Sequence, residues 1–146
     1  MNTAKGTNDM KNLYDNLALA AKEARAHAYS PYSGYTVGAA LLAKSGKIYL
    51  GSNIENASYS LTMCAERTAI YKAVSEGEKE FSAIAIAGAK SGEEVSSPFA
   101  PCGSCRQVLS EFCSPETAVL VVTDSGYDLY TLGELLPAGF GKKDLL

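Results

Sequence analysis

Between Met10 and Tyr29 the apolar residues Met10, Leu13, Leu17, Ala20, Ala21, Ala24 and Ala28 recur at the spacing of one helical face, and Ser30-Pro31 ends the run. This predicts an N-terminal amphipathic helix, with MNTAKGTNDM, about residues 1 to 10, as a frayed and flexible extension ahead of it. The period then changes. TVGAALLA (36 to 43) and KIYLG (47 to 51) flank Lys44-Ser45-Gly46 and predict a hairpin of one buried and one more exposed strand. Ala65, Ala69, Ile70, Ala73 and Val74 predict a second helix from Cys64 to Glu76, with Gly77 as its C-terminal cap. FSAIAIA (81 to 87) reads as a third strand. Beyond the polar loop GAKSGEEVSSPFA, the residues Val108, Leu109 and Phe112 predict a third helix stopped by Ser114-Pro115. AVLVVT (118 to 123) is apolar enough for a strand buried on both faces, and Asp124-Ser125-Gly126 turns the chain into YDLY, a weaker fifth strand. Thr131 and Glu134 have capping-box spacing for a last short helix before Pro137. The order αββαβαββα implies one sheet, partly parallel, with helices packed over its faces.

Composition narrows the function. A chain of 146 residues fits one domain and buries enough surface to need no disulfide or metal staple. Hydrophobic residues make up 47% and charged residues 20%, which argues against disorder over most of the length. Thirteen basic against sixteen acidic side chains give a net charge of −3, with no run of Lys or Arg that could neutralise a line of phosphates. Small molecules are therefore expected as ligands rather than nucleic acid. MNTAKGTNDMKN has no apolar signal region, and no stretch approaches a membrane span, so the expectation is a cytosolic protein with no membrane partner. Four cysteines at 64, 102, 105 and 113 then argue for thiolate or metal chemistry over a disulfide framework.

Two motifs fall at equivalent places. Cys64-Ala65-Glu66 opens the second predicted helix and Pro101-Cys102-Gly103-Ser104-Cys105 opens the third. A helix start carries unpaired N–H groups and a partial positive charge, which lowers thiolate pKa values. Side chains of a first turn lean toward the N-terminus, so Cys64, Cys102 and Cys105 can converge on one ion, with Glu66 on its open side. Cys113 lies eight residues beyond Cys105, roughly 12 Å along an unbroken helix, too far to share that ion, and is expected as a small buried hydrophobe. Three protein ligands and an open position match a catalytic zinc. Three thiolates would leave the ion electron-rich, and Arg67 and Arg106, close behind the motifs, are candidates to donate N–H bonds to the sulfurs as outer support; solvated surface arginines are the alternative. Cys102 and Cys105 alone would also suit a disulfide oxidoreductase, but thiol exchange requires neither Cys64 nor Glu66. A fourth protein ligand would instead make a zinc-stabilised binding module. His27, the single histidine, falls in the first helix and is expected to be structural, leaving no histidine as general base.

Cys-Ala-Glu-Arg followed by Pro-Cys-x-x-Cys-Arg-Gln, with YSGYTVGAALL upstream and GSNIENASY between, resembles the small cytidine deaminases that act on free nucleosides, over about Ser30 to Phe140. Cys64 stands where the general zinc-deaminase pattern has a histidine. The resemblance implies an α/β fold of three layers, a mixed five-stranded sheet with helices on both faces, in a single domain over residues 1 to 146. It implies one Zn²⁺ per subunit on Cys64, Cys102 and Cys105. Glu66 would move a proton from the attacking water to N3 and then to the leaving amino group. It further implies that the Ala65 N–H meets the pyrimidine O2, that the Ala100 carbonyl accepts from the amino group, and that Asn53 and Glu55 of the loop Asn53-Ile54-Glu55-Asn56 hold the ribose. Tyr35 stands where many relatives have a phenylalanine packed on the base. Ala57 and Tyr59 match positions that reach a neighbouring subunit's site, and Phe140 an aromatic that covers it. The implied activity is hydrolytic deamination of cytidine and 2′-deoxycytidine in pyrimidine salvage by a homotetramer. A blasticidin-type aminonucleoside deaminase shares the cysteine motifs but not the ribose loop.

Overall fold

A computed structural model describes residues 3–146. Helix α1 spans Thr3–Ala24 and passes into a 3₁₀ turn at Arg25–His27. Strands β1 (Tyr35–Ala43) and β2 (Ile48–Ser52) form the expected hairpin; α2 (Ala65–Ser75), β3 (Phe81–Lys90), α3 (Gly103–Phe112), β4 (Ala118–Thr123), β5 (Gly126–Thr131) and α4 (Leu132–Leu135) follow. The five strands make one sheet in the order β2-β1-β3-β4-β5, parallel only between β3 and β4, where α3 is the crossover. Among the described residues no helix is long and apolar enough to cross a membrane.

Successive side chains of a strand point to opposite faces, so Leu41, Ile84, Ile86, Val119 and Val121 pack one way while Leu42, Ala83, Ala85, Leu120 and Val122 pack the other. The first set meets Ile70 of α2, Leu109 of α3 and Leu132 of α4. The second meets Leu17, Ala18 and Ala21 of α1. This is the expected three-layer arrangement, with β4 buried on both faces. Small residues set the spacing near the motifs. A Cβ on Gly51 of β2 would come within 2.3 Å of the Ala65 carbonyl oxygen, so its absence lets the first turn of α2 lie directly on the sheet.

The N-terminal segment differs from its expected bounds. Helix α1 reaches back to Thr3, through most of the stretch expected to fray, because adding turns to an existing helix avoids the cost of nucleation. Met1 and Asn2 lie outside the described residues. At the other end the helix stops short of Tyr29. The Tyr29 N–H donates to the Asn53 carbonyl at 2.9 Å and its own carbonyl accepts from the Glu55 N–H at 2.9 Å, so this backbone is taken by the loop after β2. His27 therefore sits in the exposed 3₁₀ turn and not in the helix. The capping box at Thr131 and Glu134 forms as its spacing predicts.

Candidate active site

Cys64 is the N-cap residue of α2, Cys102 the N-cap of α3, and Cys105 lies within the first turn of α3 with its side chain buried. Gly51 lets one helix start lie on the sheet, and the Arg106 side chain ties the other to the Pro101 carbonyl. Sγ of Cys64 lies 3.9 Å from that of Cys102, Sγ of Cys102 lies 3.5 Å from that of Cys105, and all three fall within 4.8 Å of one another. Tetrahedral zinc with Zn–S bonds of about 2.3 Å needs sulfurs roughly 3.8 Å apart. The three side chains fit such an ion. Cys113, at the far end of α3, is no part of the group; it packs half-buried against the α2–α3 core, and burial pushes its thiol up to about 12.

The electrostatics of the cluster are uneven. The Cys64 thiol is lowered to about 5, first by its hydrogen bond with Cys105 and then by Arg67, whose Nη2 donates to Cys64 Sγ at 3.3 Å. Cys105 is raised by the same contact with Cys64 and by burial, so the negative charge settles first on Cys64. Glu66 is 4% exposed, and burial raises its carboxyl above the usual carboxylate range. Arg106, by contrast, donates no bond to a sulfur. Its Nε gives to the Pro101 carbonyl at 2.7 Å and its Nη1 to the Leu135 carbonyl at 2.8 Å, because the turn into α3 and the end of α4 place two carbonyls closer to hand than any thiol.

Beside the cysteines opens a cavity of about 460 Å³. Cys64, Ala65, Glu66 and Met63 come to it from the start of α2, Ala100, Cys102 and Phe99 from the approach to α3, Tyr35 and Val37 from β1, Ile86 from β3, and Asn53, Glu55, Ser33 and Thr62 from loops. Asn53 is buried and bonded to β1, accepting from the Val37 N–H and donating to the Tyr35 carbonyl, each at 2.9 Å. Glu55 accepts from the Tyr32 and Ser33 N–H groups at 2.9 and 3.1 Å, and the Ser33 hydroxyl, followed by those amides, holds its carboxyl below the usual range. Tyr35 stays 37% exposed, so its hydroxyl is not forced to find a buried partner.

Other expected residues lie outside this cavity. Asn56 closes a local turn, accepting from the Ser58 N–H at 2.8 Å. Ala57 does not line the cavity, and Tyr59, 74% exposed, stands beyond it with its ring 5.8 Å from that of Tyr32. Phe140 lines a separate cavity of about 370 Å³ at the C-terminal end of α3, beside Cys113, where its carbonyl accepts from Gln107. Val37, Ile86, Met63 and Phe99 also line the cavity, though the sequence marks none of them as a site residue. Strand alternation would have put Val37 and Ile86 on the site's face, and Phe99 and Met63 adjoin the cysteine motifs.

Comparison with known proteins agrees with this geometry. Residues 11–121 match the family model described as the cytidine and deoxycytidylate deaminase zinc-binding region. The cytidine deaminase of Sporosarcina psychrophila is 48% identical over 132 residues, covering 90% of this chain and 93% of that protein. That of Halalkalibacterium halodurans is 48% identical over 124 residues, 84% of this chain and 90% of its own length. The crystal structure of cytidine deaminase from Burkholderia pseudomallei superposes with a TM-score of 0.78 at 45% identity, over 86% of this chain and 97% of that one.

Proposed function

The chain belongs to the cytidine and deoxycytidylate deaminase zinc-binding family, and on that premise we propose that it hydrolyses the amino group of cytidine and 2′-deoxycytidine in pyrimidine salvage. The observation that carries this reading is the pairing of three convergent sulfurs with one buried carboxyl, Glu66, beside a single cavity that Cys64, Cys102 and Glu66 line. Cys64, Cys102 and Cys105 would hold one zinc ion per chain. When bound, zinc supplies a Lewis acid that makes water nucleophilic near neutral pH.

The remaining work falls to the chain's own groups. The raised proton affinity of Glu66 suits it to take one proton from the attacking water and give it to N3, then to take the remaining proton from the new hydroxyl at C4 and give it to the amino group, which departs as ammonia while the C4 carbonyl forms. One carboxyl serves as base and then acid because it lies between nucleophile and leaving group. The Ala65 N–H, in the first turn of α2, lacks a helical acceptor and is available to the pyrimidine O2. The Ala100 carbonyl, at the cavity wall, would accept from the amino group. Asn53 and Glu55 would receive the ribose hydroxyls, and Tyr35 would cover one face of the base. Asn56 would act through the turn that shapes this loop. Ala57, Tyr59 and Phe140, which leave the cavity of their own chain, would serve a neighbouring copy in a homotetramer working in the cytosol. The partners are then the nucleoside, water and the chain itself.

Glu66→Gln tests the assignment. The variant should keep its zinc, measured by metal analysis, and lose at least about 10²-fold in kcat on cytidine. Full activity would remove Glu66 from the reaction.

A further inference from the structure

The sheet face that floors the cavity contains a gap. Val37 of β1 is paired with Gly88 of β3, and Tyr35 and Ile86 are the next residues along the two strands on the same face. Tyr35, Val37 and Ile86 all present side chains to the cavity, and Gly88 has none to present. The ring of Phe99 fills the space. A Cβ built on Gly88 would lie 2.6 Å from both Cγ and Cδ1 of Phe99 and 3.0 Å from its Cβ, closer than packed atoms tolerate. The same ring leans on Tyr35, centroids 5.7 Å apart and planes inclined by 36°.

Phe99 is carried by a loop, yet the root of that loop is fastened. Arg25 donates to the Glu93 carbonyl at 2.9 Å and the Lys90 carbonyl at 3.3 Å, and through Nε to the Thr36 carbonyl at 3.0 Å. Val95 is buried in the core on the far side of the sheet. An aromatic ring is thus locked into the site wall by a notch in one strand and a contact with the next.

We propose that Phe99 is a specificity-determining residue that closes the base-binding cavity against substituents at C5 of the pyrimidine. This rests on the deaminase reading above. There O2 meets the Ala65 N–H, N3 meets Glu66, the amino group meets the Ala100 carbonyl, and N1 carries the sugar toward Asn53 and Glu55. The ring edge left without a polar partner is C5–C6, and C5 adjoins the carbon bearing the amino group. Phe99 directly precedes Ala100, so its ring is the apolar wall next to that edge.

The test compares cytidine with 5-methylcytidine in wild type, Phe99→Val, Gly88→Ala and the double variant, with the thermal midpoint of each measured in the absence of nucleoside. Phe99→Val should raise the 5-methylcytidine to cytidine ratio of kcat/KM by at least about tenfold, the scale of one methyl group in an apolar pocket. Gly88→Ala should lower both the melting temperature and cytidine kcat/KM, and both losses should largely vanish in the double variant, because the colliding ring is gone. Phe99→Leu should move the ratio the same way and replaces Phe99→Val if that variant does not fold. An unchanged ratio with cytidine turnover intact would overturn the proposal, as would strictly additive melting shifts. Wild-type protein that turned over neither nucleoside would instead overturn the deaminase reading, and this inference with it.

Discussion

The starts of α2 and α3 are alike in sequence, each a cysteine N-cap with an arginine one turn behind, but they contribute differently. At α2, Arg67 bonds the sulfur of Cys64 and Glu66 brings a buried carboxyl, so this turn sets the charge of the site. At α3, Cys102 and Cys105 bring two sulfurs 3.5 Å apart, and Arg106 spends its N–H groups on the Pro101 and Leu135 carbonyls, so this turn sets the shape. The same residue type at a similar offset takes the job offered by whichever acceptor lies nearest. One start tunes the chemistry, and the other holds the frame that the chemistry needs.

Substitutions at the two ends of α3 should give the largest contrast. Cys105→Ala is expected to lose bound zinc and reduce cytidine turnover to background, whereas Cys113→Ala should keep both; one zinc per chain in Cys105→Ala would break the account of the α3 turn. The two arginines should separate next. Arg67→Gln should weaken zinc retention against a competing chelator by about 10- to 100-fold with little change in melting temperature. Arg106→Gln should mainly cost stability, about 1–3 kcal/mol by denaturant titration, because two carbonyls lose a charged donor. The reverse pattern would dissolve the distinction between charge and shape. The smallest effect concerns Cys113. With its thiol raised to about 12, it is protonated through neutral and mildly alkaline pH, so alkylation by iodoacetamide at pH 8 should be slower than for a model thiol and accelerate only as pH rises toward that value. Rapid labelling of Cys113 at pH 8 would contradict its packing.

How much of this could be read from the sequence depended on where each signal resides. β4 and the Thr131–Glu134 capping box were legible because continuous apolar character and a three-residue spacing are local. The three convergent thiols were legible because each motif opens a helix whose periodicity is plain. The end of α1 was not, since Tyr29 is drawn off by backbone bonds to a loop far along the chain. Nor was the partner of Arg106, which depends on where the end of α4 comes to rest. Phe99 escaped notice because what gives it meaning is the missing side chain at Gly88 on another element. Phe140, expected over a neighbouring copy's site, lines a separate cavity at the opposite end of α3 within its own chain, so its role is legible only at the level of an assembly.

The central claim is a metal held by three sulfurs with its fourth position facing Glu66. X-ray absorption at the zinc edge, on purified protein of known metal content, tests it most directly. The account predicts one zinc per chain with three sulfur neighbours at about 2.3 Å and a single nitrogen or oxygen neighbour at roughly 2.0 Å. Four sulfur neighbours, or protein without zinc that still deaminates cytidine, would contradict it.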